Sequence, residues 1–145
     1  MNIHRMDHVS INVNDLAGTK EFFLDLGLQV HAEWELGGEQ LDRIVGLKGV
    51  KTECVGLGMP DGETWIELVK YHSPLNETAH QQPSPNTLGI IHICFAVEDL
   101  DAIIAKLKKR GTEIFSEIEQ YEESYKLCYV RGPEGIILEL AEKLG

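Results

Sequence analysis

The chain uses one sequence pattern twice, and this internal repeat constrains the fold more than any other feature. When His8 is aligned with His92, the two copies are offset by 84 residues without a gap. In each copy an apolar strand-like run leads into a helical pattern, which stops at a glycine, Gly27 in the first copy and Gly111 in the second. A repeat of this kind indicates one supersecondary unit used twice.

The first copy is predicted to be a β-α-β-β-β unit. Asp15 is the expected N-cap of its helix, and residues 39–45 suggest a further short helix. Along the second strand, alternation places Leu28, Val30, Ala32, Trp34 and Leu36 on one face. The expected elements are a strand over 7–14, a helix over 16–26, and strands over 28–36, 51–59 and 64–71.

The second copy is predicted to repeat this order. Asp99 is the expected cap of its helix, and residues 132–135 form a turn before the last strand. We expect strands over 90–97, 112–118, 125–131 and 136–142, a helix over 100–110, and an acidic turn over 119–124. The fold class is therefore α+β, as a single domain over residues 1–145. Module 1 spans about 4–72, a linker about 73–88, and module 2 about 89–144.

Charge and composition exclude several classes of partner. The net charge is −11, which disfavours nucleic-acid backbones and anionic membrane surfaces. No apolar run approaches the roughly 20 residues of a membrane span, and the N-terminal residues have no signal-peptide core. The three cysteines are odd in number and lie in strand-like runs, which is typical of reduced thiols. We expect a cytoplasmic protein that binds a small molecule.

Four polar residues stand where the pattern calls for apolar ones. His8 and His92 lie in equivalent apolar strands, and Glu67 and Glu139 lie in the apolar closing strands of the two copies. A carboxylate in such a run is costly unless it is paired or bound to a metal. If the copies pair by pseudo-twofold symmetry, two imidazoles and two carboxylates converge, which is a suitable ligand set for a divalent ion.

The other histidines have no counterpart in the repeat. They are therefore expected to be surface or loop residues rather than ligands. They are His4, His31, His72 and His80.

Four stretches together resemble the vicinal oxygen chelate superfamily, which includes glyoxalase I, methylmalonyl-CoA epimerase, extradiol dioxygenases, and fosfomycin and bleomycin resistance proteins. The resemblance covers essentially the whole chain, and it implies paired βαβββ modules whose curved mixed sheet cups a metal. The matching stretches are Asp7–Val13, Trp65–Leu68, Gly89–Val97 and Arg131–Leu140.

The resemblance is closest to the glyoxalase I branch, which has a ligand acid at the second position in chain order. Dioxygenases and fosfomycin-modifying enzymes typically lack that acid, and the epimerase usually has Gln there. It implies metal ligation by His8, Glu67, His92 and Glu139, with Ni, Co, Zn, Mn or Fe as the ion. It also implies that Glu139 and Glu67 act as general base and acid, in an order left open.

The resemblance implies a metal-dependent lyase or isomerase that moves a proton beside a chelated carbonyl. Two alternatives stay open on the same fold: a ring-cleaving extradiol dioxygenase-type enzyme, and a non-catalytic small-molecule or antibiotic-binding protein. Family habit favours a homodimer, with each site either within one chain or across the interface. The candidate substrate-binding residues are Trp65, Tyr71, Tyr129 and Arg43.

Overall fold

The chain divides into two compact units, Met1–Ala79 and His80–Gly145. The structure is a computed structural model that describes residues 2–76 and 82–145. Part of the predicted linker, together with His80, lies outside the described residues. Each unit contains helices and one mixed sheet, which confirms the α+β class.

Unit 1 is a four-stranded sheet with two helices. The strand order is β1-β4-β3-β2, with β1 parallel to β4 and the other pairs antiparallel. Its elements are β1 (His8–Asn12), α1 (Leu16–Asp25), β2 (Gln29–Gly37), α2 (Glu39–Val45), β3 (Lys51–Gly58) and β4 (Trp65–Ser73).

Unit 2 repeats this arrangement with a shorter outer edge. The order is β5-β9-β8-β6, again with one parallel pair, β5 with β9, and β7 also pairs with β8. Its elements are β5 (His92–Ala96), α3 (Leu100–Lys109), β6 (Glu113–Ile114), β7 (Glu119–Tyr121), β8 (Tyr125–Arg131) and β9 (Ile137–Lys143).

Both long helices begin at the predicted aspartates. The Asp15 carboxylate accepts a hydrogen bond from the Gly18 amide at 3.0 Å, and the Asp99 carboxylate accepts one from the Ala102 amide at 3.3 Å. These bonds satisfy amide groups that have no partner within the helix. The fully buried apolar side chains come from α1, α3 and the strands of both sheets, and they include Phe22, Phe23, Leu57, Leu68, Leu100, Leu107, Ile137, Leu138 and Leu140.

The alternation predicted for β2 is wrong at its beginning. Val30 lies opposite Leu57 and Ala32 lies opposite Gly56, so that His31 is an extra residue in a β-bulge. Residues directly opposite one another share a face, and Leu57 is fully buried in the core. Val30 is therefore on the face of Leu57, whereas Ala32, Trp34 and Leu36 are on the opposite face.

Two predictions for unit 2 are also corrected. The strand expected over 112–118 is limited to β6, and the turn expected over 119–124 begins with β7. Both short strands pair with β8, so cross-strand hydrogen bonding rather than local pattern decides their limits. The turn expected over 132–135 contains a single 3-10 turn, Pro133–Gly135.

No helix of the described residues is long and apolar enough to cross a membrane.

Candidate metal centre

In unit 1 the first predicted pair of ligands lies on one face of the sheet. On the parallel strands β1 and β4, His8 lies opposite Trp65 and Ser10 lies opposite Glu67. Alternate residues of a strand share a face, so the His8 and Glu67 side chains project to the same side. Their closest atoms, Nε2 of His8 and Oε1 of Glu67, are 4.0 Å apart.

In unit 2 the second pair has the same placement. His92 lies opposite Ile137 and Cys94 lies opposite Glu139 on the parallel strands β5 and β9. Nε2 of His92 is 3.2 Å from Oε1 of Glu139. In both pairs the histidine side chain is 36% exposed and the glutamate side chain 17% exposed. Each unit thus presents one accessible imidazole beside one mostly buried carboxylate.

A second carboxylate orients the histidine of unit 1. Asp7 Oδ2 lies 2.7 Å from Nδ1 of His8, and Asp7 also pairs with Arg5 at 2.7 Å. The hydrogen bond with His8 is the main reason that the pKa of Asp7 is lowered. Because an ionised carboxylate only accepts hydrogen bonds, Nδ1 carries the proton and Nε2 is left as a donor atom for a metal.

Hydroxyl groups hold both glutamates. Ser10 Oγ donates to Glu67 Oε1 at 2.6 Å, and the Tyr129 hydroxyl donates to Glu139 Oε1 at 3.0 Å. Desolvation and this hydrogen bond raise the pKa of Tyr129, which keeps the phenol protonated as a donor. Desolvation and the Glu139 charge raise the pKa of the Cys94 thiol to about 11.

The donor set fits a divalent ion, but each unit holds only half of it. Imidazole nitrogen and carboxylate oxygen suit Zn²⁺, Ni²⁺, Co²⁺, Mn²⁺ and Fe²⁺. Within residues 2–76 and 82–145 the structure contains no group of three or more His, Cys, Asp or Glu side chains that could hold a metal ion. The convergence of all four ligands stays a prediction.

The predicted substrate-binding residues lie at different distances from these pairs. The Trp65 ring stacks on His8 at 4.4 Å, and the Tyr129 ring contacts His92 edge-on at 5.1 Å. Tyr71 is on the face of Glu67 but four residues further along β4, which corresponds to about 13 Å. Arg43 lies on α2 and is exposed.

Sequence reasoning missed two residues of this region. The sequence could have indicated Asp7, because it is an acid that directly precedes His8. The repeat gave no support, since the counterpart of Asp7 is Ile91. His31 was expected to be a surface or loop residue. It lies in β2 and is exposed, but its ring contacts the edge of Trp65 at 4.9 Å. The bulge places it there, and the sequence contains no signal for a bulge at this position.

Comparisons with known proteins agree on one family. A model described as the Glyoxalase/Bleomycin resistance protein/Dioxygenase superfamily matches residues 5–140. The crystal structure of a glyoxalase family protein from Bacillus cereus is 39% identical, with a TM-score of 0.95, and the match covers 100% of this chain and 97% of that one.

More distant relatives cover nearly the same length. The uncharacterized protein YaeR of Escherichia coli K12 is 25% identical over 145 residues, which is 99% of each chain. The trypanothione-dependent glyoxalase I of Leishmania major is 25% identical with a TM-score of 0.69, and the match covers 97% of this chain and 87% of that one.

Proposed function

Since the chain belongs to the Glyoxalase/Bleomycin resistance protein/Dioxygenase superfamily, we propose that it is a divalent-metal-dependent lyase or isomerase. The reaction would move a proton beside a metal-chelated carbonyl of a small substrate. The observation that carries this proposal is the repeated His–Glu pair, with equal exposures in both units. The presence of Glu67 as a second-position acid favours the glyoxalase I-like branch over the dioxygenase alternative.

The ligands proposed for the ion are His8, Glu67, His92 and Glu139. Their imidazole and carboxylate donors suit first-row divalent metals, and the contact between Asp7 and His8 leaves Nε2 of His8 free to bind. The chemistry that such an ion supplies is Lewis-acid stabilisation of negative charge on chelated oxygens.

The chain itself supplies the groups that hold and move the proton. Glu67 and Glu139 are the candidate base and acid, because each is a mostly buried carboxylate beside the histidine of its pair. Ser10 and Tyr129 each donate a hydrogen bond to Oε1 of one glutamate. These bonds help to fix the orientation of each carboxylate.

The proposed assembly is a cytoplasmic homodimer whose ligand is a small molecule. In this proposal both His–Glu pairs contribute to each metal site, either within one chain or across the dimer. Trp65 and Tyr129 are the proposed walls of the substrate site, because each ring contacts a ligand histidine.

The first test is calorimetric titration of chelator-stripped protein with Ni²⁺, Co²⁺, Mn²⁺, Zn²⁺ and, without oxygen, Fe²⁺. We expect one tight site per chain, lost in both His8→Ala and His92→Ala. His72→Ala is the matched control, since His72 is exposed and pairs with Glu53. The loaded protein is then assayed with the hemithioacetal of methylglyoxal and glutathione, and with an α-chiral CoA thioester.

Glu67→Gln separates the branches of the superfamily. We expect it to fold, to bind metal more weakly and to lose most glyoxalase-type proton transfer, because an amide is a weaker ligand than a carboxylate and cannot act as a base. Equal metal affinity and activity would remove Glu67 from the site. Absence of binding by every ion would leave the non-catalytic binding protein as the better description, and oxygen uptake with Fe²⁺ and a catechol would favour the dioxygenase.

A further inference from the structure

The two units differ at the position beside each ligand glutamate. In unit 2, Tyr129 lies opposite Glu139, and its ring meets His92 at an interplanar angle of 68°. In unit 1 the residue opposite Glu67 is Gly56, which has no side chain. Gly56 is the equivalent of Tyr129 in unit 1, so unit 1 has no side chain on β3 that corresponds to the Tyr129 ring.

His31 fills this place from the neighbouring strand. The β2 bulge directs its ring over β3, where a Cβ atom added at Gly56 would collide with the imidazole and one added at Gly58 would lie 3.3 Å from Nδ1. The ring meets Trp65 at 4.9 Å and an interplanar angle of 68°. Each unit thus has a ring with a polar atom beside the strand that carries its glutamate. In unit 2 the ring is that of Tyr129 on β8, and in unit 1 it is that of His31 on β2.

The two rings differ in what remains available to a ligand. The Tyr129 hydroxyl donates its proton to Glu139. The structure records no hydrogen bond for the His31 ring among the described residues, and His31 is exposed. A neutral imidazole offers one donor and one acceptor. Trp65 contacts both His8, at 4.4 Å, and His31, so a substrate of a few heavy atoms held at His8 reaches His31.

We propose that His31 is a substrate-binding residue, whose ring hydrogen-bonds an oxygen that the substrate carries beyond its two chelated oxygens. The substrate class is then a chelating compound with a further acceptor oxygen, for which a carboxylate is the strongest candidate because hydrogen bonds to ionised acceptors are stronger than those to neutral ones. Trp65 positions the imidazole, and Gly56 and Gly58 provide the space for it. This inference rests on the proposed function, since chelation at His8 brings the substrate within reach.

The test compares two chelating probes on Co²⁺-loaded protein. Acetohydroxamate supplies two vicinal oxygens, and succinic monohydroxamate adds a carboxylate. We expect the wild type to bind the carboxylated probe at least tenfold more tightly. His31→Phe, which keeps a ring against Trp65, should lose this preference and leave the affinities for Co²⁺ and acetohydroxamate unchanged. His31→Gln should retain part of the preference, because its amide still donates a hydrogen bond.

Gly56→Ala tests the same site without altering His31. Its methyl group collides with the imidazole, so we expect the loss of preference seen in His31→Phe, and no further loss in the double variant. Near-ultraviolet circular dichroism and urea unfolding verify that each variant folds. If wild type and His31→Phe show the same preference for the carboxylated probe, or if neither shows a preference, the inference is wrong. If neither probe binds the loaded wild type, the chelation in the proposed function fails and the inference fails with it.

Discussion

At the scale of single residues, the repeat preserves the candidate ligands and changes their neighbours. Alignment of His8 with His92 places Ser10 on Cys94. Ser10 donates a short hydrogen bond to Glu67, whereas the Cys94 thiol lies beside Glu139 with a pKa of about 11. The two glutamates are therefore the same type of donor but have different hydrogen-bond partners. We expect the two units to contribute unequally to metal affinity.

Asp7→Asn tests the contribution of a neighbour that only unit 1 has. The asparagine no longer supplies a carboxylate to hold Nδ1–H of His8, so we expect metal affinity to fall roughly ten- to a hundredfold. Isothermal titration with the preferred ion measures this. The lowered pKa of Asp7 means that its stabilising contact with His8 is present above the ordinary carboxyl pKa and is lost as the pH falls through the lowered value.

The control for this variant is Asp61→Asn. The Asp61 carboxylate accepts a hydrogen bond from the Glu63 amide in an exposed turn, and among the described residues it has no recorded contact with His8 or Glu67. We expect the control to bind metal like the wild type. An Asp7→Asn variant with unchanged affinity would show that His8 is oriented by its strand and by the stacked Trp65 alone.

At the scale of elements, the parallel pairs β1–β4 and β5–β9 each build one His–Glu pair. Each pair brings the first strand of a unit beside the last, so a histidine and a glutamate that are 59 or 47 residues apart in sequence become close neighbours. The helix between them begins directly after the histidine strand. Its anchoring therefore helps to hold that strand in register.

The two units anchor their helices differently. Asp99 adopts a left-handed backbone conformation with φ of 55°, whereas Asp15 has φ of −98°. Glu142 of β9 also accepts a hydrogen bond from the Leu100 amide at 2.7 Å. The start of α3 is thus held both by its own cap and by the last strand.

Replacement of the two caps should reveal this difference. Loss of an N-cap to alanine costs about 1 kcal/mol, and loss to glycine only a few tenths. A left-handed conformation costs a non-glycine residue a further 1 kcal/mol or so. At both positions the Gly variant should be more stable than the Ala variant. We expect this difference in unfolding free energy to be about 1 kcal/mol larger at Asp99 than at Asp15. Urea unfolding of the four variants measures it, and equal differences at the two positions would contradict the strained cap.

At the scale of the whole molecule, the arrangement of tryptophans makes the sharing of a metal measurable. Trp34 and Trp65 are the only two tryptophans, and both lie in unit 1. Their rings are 6.0 Å apart, and Trp65 also stacks on His8. Tryptophan fluorescence therefore reports the unfolding of unit 1 and the surroundings of His8, its candidate ligand.

His92→Ala, a change in unit 2, should abolish the stabilisation that metal gives to unit 1. An ion at a hundred times its dissociation constant stabilises the folded state by about 2.7 kcal/mol. If both pairs hold one ion, tryptophan-detected urea unfolding of His92→Ala no longer responds to metal, whereas His72→Ala responds like the wild type. A full metal response in His92→Ala would mean that the unit 1 pair binds its ion alone.

The sequence by itself determined the order of elements in unit 1, the helix of unit 2 and the four candidate ligands, because these depend on local information. Hydrophobic periodicity, capping aspartates and glycine stops place the helices within one or two residues, and polar residues in apolar strands identify the His–Glu pairs. Because both copies of the repeat contain such a pair, chance does not account for these polar residues.

The tertiary structure alone decided which side chains surround each pair. The bulge at His31, the proximity of His31 to Trp65 across Gly56, and the breaks that define β6 and β7 all depend on register between strands. Register is a property of two chain segments together, and a shift of one residue exchanges the faces of a strand. No single stretch of sequence encodes it, so the neighbours of the candidate ligands are defined only when the strands are paired.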